Sequence, residues 1–133
     1  MPHEPHKEVV LAYVDAFNRG DFPALRKLFT PDALVYGVLG WGGLDVVEPI
    51  WKDLHHCLAA ELKPESVVAE GDTVAVRYVE RGTSKAPFRG FAATGRSYEI
   101  VAMEFFQMQD GLIHRRWGAR DSSAIFKQLG FTP

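Results

Sequence analysis

Two strand-length runs, Ser97 to Gln109 and Leu112 to Arg120, flank the dipeptide Asp110-Gly111. That pair is the strongest hairpin signal in the chain, because a type I′ turn needs positive φ at both central residues and Asp-Gly tolerates it. A hairpin of this length commits the C-terminal half to an antiparallel sheet. A second signal precedes it: Val67-Val68-Ala69 and Thr73 to Arg81 flank Glu70-Gly71-Asp72, again strand, tight turn, strand. Residues 82–95, punctuated by glycine and proline, read as a long connection through Phe88 and Phe91.

The N-terminal half has a different period. Val10, Tyr13, Val14 and Phe17 recur at spacings of three and four, which predicts a helix over 7–19 ended by Gly20. Asp21 caps a short second helix over 22–29, with Pro23 in its first turn. Thr30-Pro31-Asp32 breaks it, and Ala33 to Tyr36 form a short strand. Gly37 to Gly43, with three glycines and Trp41, reads as a loop. Val46, Ile50, Leu54, Leu58 and Leu62 predict a third helix over 45–61. Residues 122–129 close the chain as a short helix ended by Gly130. Helices followed by antiparallel strands argue α+β, with helices on one face of a curved sheet.

The 133 residues make one domain, 1–133, with residues 1–6 a frayed tail. A net charge of −2, without a basic run, disfavours nucleic acid and anionic membranes as partners. No apolar stretch approaches the roughly 20 residues that span a bilayer. The N-terminus lacks the apolar core of a secretory signal. Cys57 has no partner for an internal disulfide, which fits a reducing cytoplasm. No metal-ligand spacing, phosphate loop or nucleophile elbow is present, so neither a metal nor another cofactor is expected.

If Asp110-Gly111 is a simple two-residue turn, opposed positions sum to 221. One face then carries Ile100, Ala102, Glu104, Phe106 and Met108 with Ile113, Arg115, Trp117, Ala119 and Asp121, since side chains alternate. The other carries Val101, Met103, Phe105 and Gln107 with His114, Arg116, Gly118 and Arg120. Both faces have apolar content, so both are expected to be covered. A bulge near Gly118 would shift the outer positions by one.

Four stretches carry a family resemblance: Phe17-Asn18-Arg19-Gly20-Asp21 with Phe29-Thr30-Pro31-Asp32; Val68 to Tyr78; Phe88-Arg89-Gly90 with Thr94-Gly95-Arg96; and Asp110-Gly111-Leu112-Ile113 through Trp117 and Asp121 to Gln128-Leu129-Gly130. Together they resemble the SnoaL-like polyketide cyclases and ester cyclases, within the fold of ketosteroid isomerase and nuclear transport factor 2. The resemblance implies a cone-shaped, cystatin-like roll. Three N-terminal helices would pack on a mostly antiparallel sheet, and a second subunit would cover the outer sheet face as a homodimer. It also implies a small hydrophobic carbonyl substrate, polyketide-like, closed into a ring without a cofactor. An aspartate where Asp121 stands would act as acid and base. The resembled cyclases pair it with a pocket histidine, which the inward face here lacks.

The residues themselves leave several roles open. Asp121 beside Trp117 in an apolar cone would be desolvated, raising its pKa into a range useful for proton transfer. Asp121 also precedes Ser122 and the last helix, where aspartate is a favoured N-cap. Glu104 is a second pocket acid, or half of an ion pair with Arg115 or Arg77. Only one of Arg77 and Tyr78 can face inward, and an inward Tyr78 is an oxyanion donor or a core tyrosine. Trp117, Trp41, Tyr36, Phe17 and Phe91 are candidate pocket walls. His55 reads as solvated, His56 as bordering the core, and His114 as an interface residue on the outer sheet face. Two further functions fit the same residues: a non-catalytic binding or dimerisation module, and a hydrolase resembling limonene epoxide hydrolase, with a carboxylate-activated water.

Overall fold

The computed structural model describes residues 4–37 and 39–131. Its elements are α1 (Glu4–Arg19), α2 (Phe22–Arg26), β1 (Phe29–Gly37), β2 (Gly40–Gly42), α3 (Leu44–Leu58), β3 (Glu61–Glu70), β4 (Thr73–Thr83), β5 (Ser97–Gln109), β6 (Leu112–Arg120) and α4 (Ser122–Leu129). The strands form one sheet in the order β2-β1-β6-β5-β4-β3. Only β1 and β6 run parallel; every other neighbouring pair is antiparallel. This is the expected α+β arrangement, with the early strand inserted between the C-terminal hairpin and a short edge strand.

Local chemistry sets most element ends. Gly20 takes φ 71 after α1, and the Asp21 side chain accepts from the Ala24 amide at 3.1 Å to start α2. Asn18 binds the amide and carbonyl of Leu62, both at 2.9 Å, tying the end of α1 to β3. Asp110 and Gly111, at φ 52 and 79, turn β5 into β6 as their types demand. Several boundaries differ from the sequence reading. Residues 4–6 belong to α1 rather than to a tail; residues 1–3 lie outside the described residues. The chain from Phe29 is already strand, and Thr30-Pro31-Asp32 forms an irregularity within β1 instead of a break. Gly40–Gly42 folds back on β1, with Trp41 opposite Tyr36. Helix α3 stops at Leu58, where Ala59 adopts φ 47, so Leu62 belongs to β3.

The decisive difference lies in β6. Gln109 pairs with Leu112 and Met108 with Ile113, but Gln107 pairs with Arg115 and Glu104 with Gly118. The register slips by one between Ile113 and Arg115, leaving His114 as the extra residue of a bulge. Its ring nitrogen sits 2.9 Å from the Thr30 hydroxyl of β1. Beyond the bulge every β6 side chain faces opposite to the simple alternation. Arg116 and Arg120 therefore point inward with Glu104, while Trp117 and Arg115 point outward.

Helices cover the inner face alone. Tyr13 of α1 is its centre, edge-on to Phe29, Trp51 and Phe106 at ring separations of 5.8, 6.3 and 5.3 Å. A second cluster, in which Phe88 and Phe91 stack on Phe131, holds the 82–95 connection against α4. The outer face keeps an uncovered apolar stripe of Val101, Met103, Phe105 and Trp117.

Candidate functional site

A cavity of about 110 Å³ opens between the inner face of the sheet, α1, α3 and the β1–β2 turn. Phe17, Trp51, Ile50, Leu54 and Trp41 supply its apolar walls. Its floor is polar. Glu80, Glu104, Arg116 and Arg120 line both this cavity and a smaller space of about 50 Å³ beside it, which Tyr78 also lines.

Alternation along β4 and β5 explains the floor. Val74, Val76, Tyr78 and Glu80 face inward in turn, as do Tyr98, Ile100, Ala102, Glu104 and Phe106. Glu104, only 8% exposed, accepts from the Tyr78 hydroxyl at 2.9 Å and the Tyr13 hydroxyl at 3.2 Å. Its second oxygen also accepts from Nη1 of Arg116. Gly118 makes that geometry possible, since a Cβ there would come within 3.0 Å of Nη1. The neighbouring Glu80 accepts from the Tyr98 hydroxyl at 2.5 Å and from Nε of Arg120 at 3.0 Å, with Nη2 of Arg120 as a further donor. Here too a glycine opens the space: a Cβ on Gly82 would meet the Tyr98 ring at 2.4 Å.

The floor thus holds two buried carboxylate–guanidinium pairs with three phenols directed at the carboxylates. Burial, then the adjacent Glu104 charge, pushes the Tyr13 and Tyr78 phenols well above their ordinary range. Tyr98 is raised in the same way beside Glu80. Burial works to lower the Arg116 guanidinium, but Glu104 and the two tyrosines together outweigh it, so it stays charged. Nε of Arg116 is buried without an acceptor among the described residues. An unmatched donor of a buried cation is costly unless a ligand satisfies it.

Of the residues singled out from the sequence, Glu104, Trp41 and Phe17 line the main cavity and Tyr78 the smaller space. The remaining candidates lie elsewhere. Asp121 is exposed at the N-cap of α4, where its carboxylate accepts from the Ala124 amide at 2.9 Å. The bulge at His114 accounts for this displacement. Trp117 lies on the outer face, 40% exposed, against the Trp41 edge. Tyr36 is exposed beside Trp41, Phe91 is packed between Phe126 and Phe131, and Arg77 is exposed on the outer face of β4. Glu104 pairs with Arg116, not with Arg115 or Arg77. The α3 histidines also exchange roles: His55 packs edge-on to Phe17 and Phe22, while His56 is exposed.

Sequence reasoning missed Glu80, Arg116, Arg120 and Tyr98, and read Tyr13 only as core. Glu80 was within reach, because it continues the inward alternation of Val74, Val76 and Tyr78. Among the described residues, no group of three or more His, Cys, Asp or Glu side chains is placed to hold a metal ion.

A family model described as SnoaL-like polyketide cyclase matches residues 7–129. Of solved structures, IdmH, a putative polyketide cyclase from Streptomyces antibioticus, is 27% identical with a TM-score of 0.83, covering 96% of this chain and 99% of its own. A putative polyketide cyclase from Xanthomonas campestris pv. campestris superposes with a TM-score of 0.89 at 24% identity, over 97% and 99% of the two chains. AclR, a putative hydroxylase from Streptomyces galilaeus, reaches 0.85 at 24% identity, over 96% of each chain. At 24% identity these last two speak for the fold alone. No protein of curated function matches the sequence.

Proposed function

The chain belongs to the SnoaL-like polyketide cyclase family, and from that premise we propose that it is a cofactor-independent cyclase or isomerase acting on a small carbonyl compound in the cavity. The observation that carries the reading is the buried Glu104 at the cavity floor beside Arg116, whose Nε lacks an acceptor. In this reading Glu104, rather than Asp121, takes the proton from a carbon next to a carbonyl. The enolate oxygen draws on the Arg116 guanidinium, a fixed positive charge in a site of low dielectric. The enolate carbon then attacks a second carbonyl of the same molecule, and Glu104 returns its proton to the new alkoxide. A carboxylate has about four acceptor positions; three donors occupy Glu104, so capacity for one proton remains.

One observation favours a second reading, a non-catalytic binder of the same fold. Three donors on Glu104 and the capping role of Asp121 leave both carboxylates with structural work. Turnover of a 1,5-diketo ester to its cyclic aldol product separates the two. The enzyme reading expects ring closure that Glu104→Asp, which keeps the charge and withdraws the carboxylate by one methylene, slows by about 100-fold. Equal rates for the two proteins, or none above buffer for either, would favour the binder.

We also propose a homodimer through the outer sheet face. Val101, Met103, Phe105 and Trp117 are 40–55% exposed there, an apolar stripe unusual for a monomer's surface. No helix among the described residues is long and apolar enough to cross a membrane. The buried free thiol of Cys57 is compatible with a cytoplasmic setting.

A further inference from the structure

The charges lining the cavity do not cancel. Arg116 is matched by Glu104 and Arg120 by Glu80, but Arg89 also lines the cavity. Among the described residues Arg89 makes no hydrogen bond or ion pair, only a cation–π contact with Phe88, its guanidinium carbon 4.8 Å from the ring centroid. Three guanidiniums against two carboxylates leave a formal charge of +1 around the cavity.

Arg89 is held there by a built turn. The backbone amides of Phe88 and Phe91 each donate to the other's carbonyl at 2.9 Å. Arg89 and Gly90 between them have φ 48 and 83, the geometry of a two-residue type I′ turn. Phe88 and Phe91 both stack on Phe131, which anchors the turn to the body of the protein. The left-handed conformation suits glycine or asparagine, and an arginine there is disfavoured. Arg89 is exposed at the cavity mouth, yet partial burial and the neighbouring Arg120 lower its pKa, only weakly opposed by the charge of Asp53. An unpaired cation therefore sits at a conformationally costly position on the cavity wall.

We propose that Arg89 is a ligand-binding residue, and that the cavity takes an amphipathic monocarboxylate whose carboxylate meets Arg89 while a ring fills the apolar part. Arginine suits that role because its planar fork matches a carboxylate in two hydrogen bonds. The walls argue for a ring: Phe17, Trp41 and Trp51 all border the space. The cavity of about 110 Å³ is smaller than a dry cavity of about 150 Å³ that accommodates benzene in another protein, so a ring enters it in part and the rest of the ligand lies toward the open mouth. This deepens the catalytic reading by naming a substrate class, yet binding alone decides it, so it stands or falls separately from turnover.

The test is isothermal titration of the full chain with naphthalene-2-carboxylate, its isosteric carboxamide and decanoate at low salt. The wild type should bind the carboxylate about tenfold or more tightly than the carboxamide, as one partly screened charge-assisted contact allows. Arg89→Asn, which suits the turn, should keep the melting temperature and carboxamide affinity while the preference falls to near one. Arg89→Lys should retain part of it. A preference that survives Arg89→Asn would overturn the proposal, as would carboxamide binding equal to carboxylate in the wild type, or binding of neither at millimolar concentration. Decanoate binding more tightly than naphthalene-2-carboxylate would overturn the assignment of a ring.

Discussion

Replacing Arg116 with methionine tests the cavity floor without adding bulk. The side chains of Arg116 and Glu104 are each only 10% exposed, so the substitution leaves a carboxylate buried without its cation. Removing one partner of such a pair costs about 3–5 kcal/mol. The Tyr13 and Tyr78 hydroxyls still donate to Glu104, which places the expected loss near the lower end, about 3 kcal/mol. For a domain of this size that corresponds to a melting temperature lower by about 12 °C. Adding Glu104→Gln to Arg116→Met removes the stranded charge and keeps an acceptor for the two phenols. The double variant should recover at least half of the lost stability. Thermal and urea unfolding followed by the fluorescence of buried Trp51 would show both effects. Arg116→Met at wild-type stability, or a deficit that Glu104→Gln leaves uncorrected, would show that the loss does not come from a stranded carboxylate.

Three shorter predictions follow from other parts of the molecule. Asp121→Ala removes the α4 cap and should cost about 1 kcal/mol in unfolding experiments, whereas Asp121→Asn, which can still cap, should cost less than half of that. Tyr13, Tyr78 and Tyr98 are raised by burial first and by the adjacent carboxylates next. Their contribution to stability is therefore full below the unfolded phenol pKa of about 10 and is lost as pH rises beyond it. In an absorbance titration, the phenolate signal of these three should emerge only with alkaline unfolding. Phe105→Lys, placed on the exposed outer stripe, should shift a dimer to monomer in sedimentation velocity without changing the far-ultraviolet spectrum; an unchanged sedimentation coefficient would remove the case for that interface.

The fold was legible because its punctuation is chemical: Asp110-Gly111, Gly20-Asp21 and Gly130 each end or begin an element where the structure has one. The site was only half legible, and the reason is one residue. The bulge at His114 reverses the faces of Arg116, Trp117 and Arg120, and residues 112–117 hold no glycine or proline to announce it. Burial polarity was no guide either. The outer stripe is as apolar as an inner face, whereas the inner face carries Glu80, Glu104, Arg116 and Arg120. Buried charges that pair with one another look like solvent-facing charges until their partners are known. Asp121 illustrates the consequence: its identity fits two roles, and the register puts it at the α4 cap.

The proposal that proton transfer belongs to Glu104 in the cavity and not to Asp121 at the α4 cap can be checked by α-proton exchange. A small aryl β-keto ester in D₂O, followed by proton NMR, reports carbon-acid deprotonation without requiring the natural substrate. The wild type and Asp121→Asn should exchange the α-proton at equal rates well above buffer, and Glu104→Asp should slow exchange by about 100-fold while staying folded. Exchange lost in Asp121→Asn and retained in Glu104→Asp would instead assign the proton transfer to Asp121.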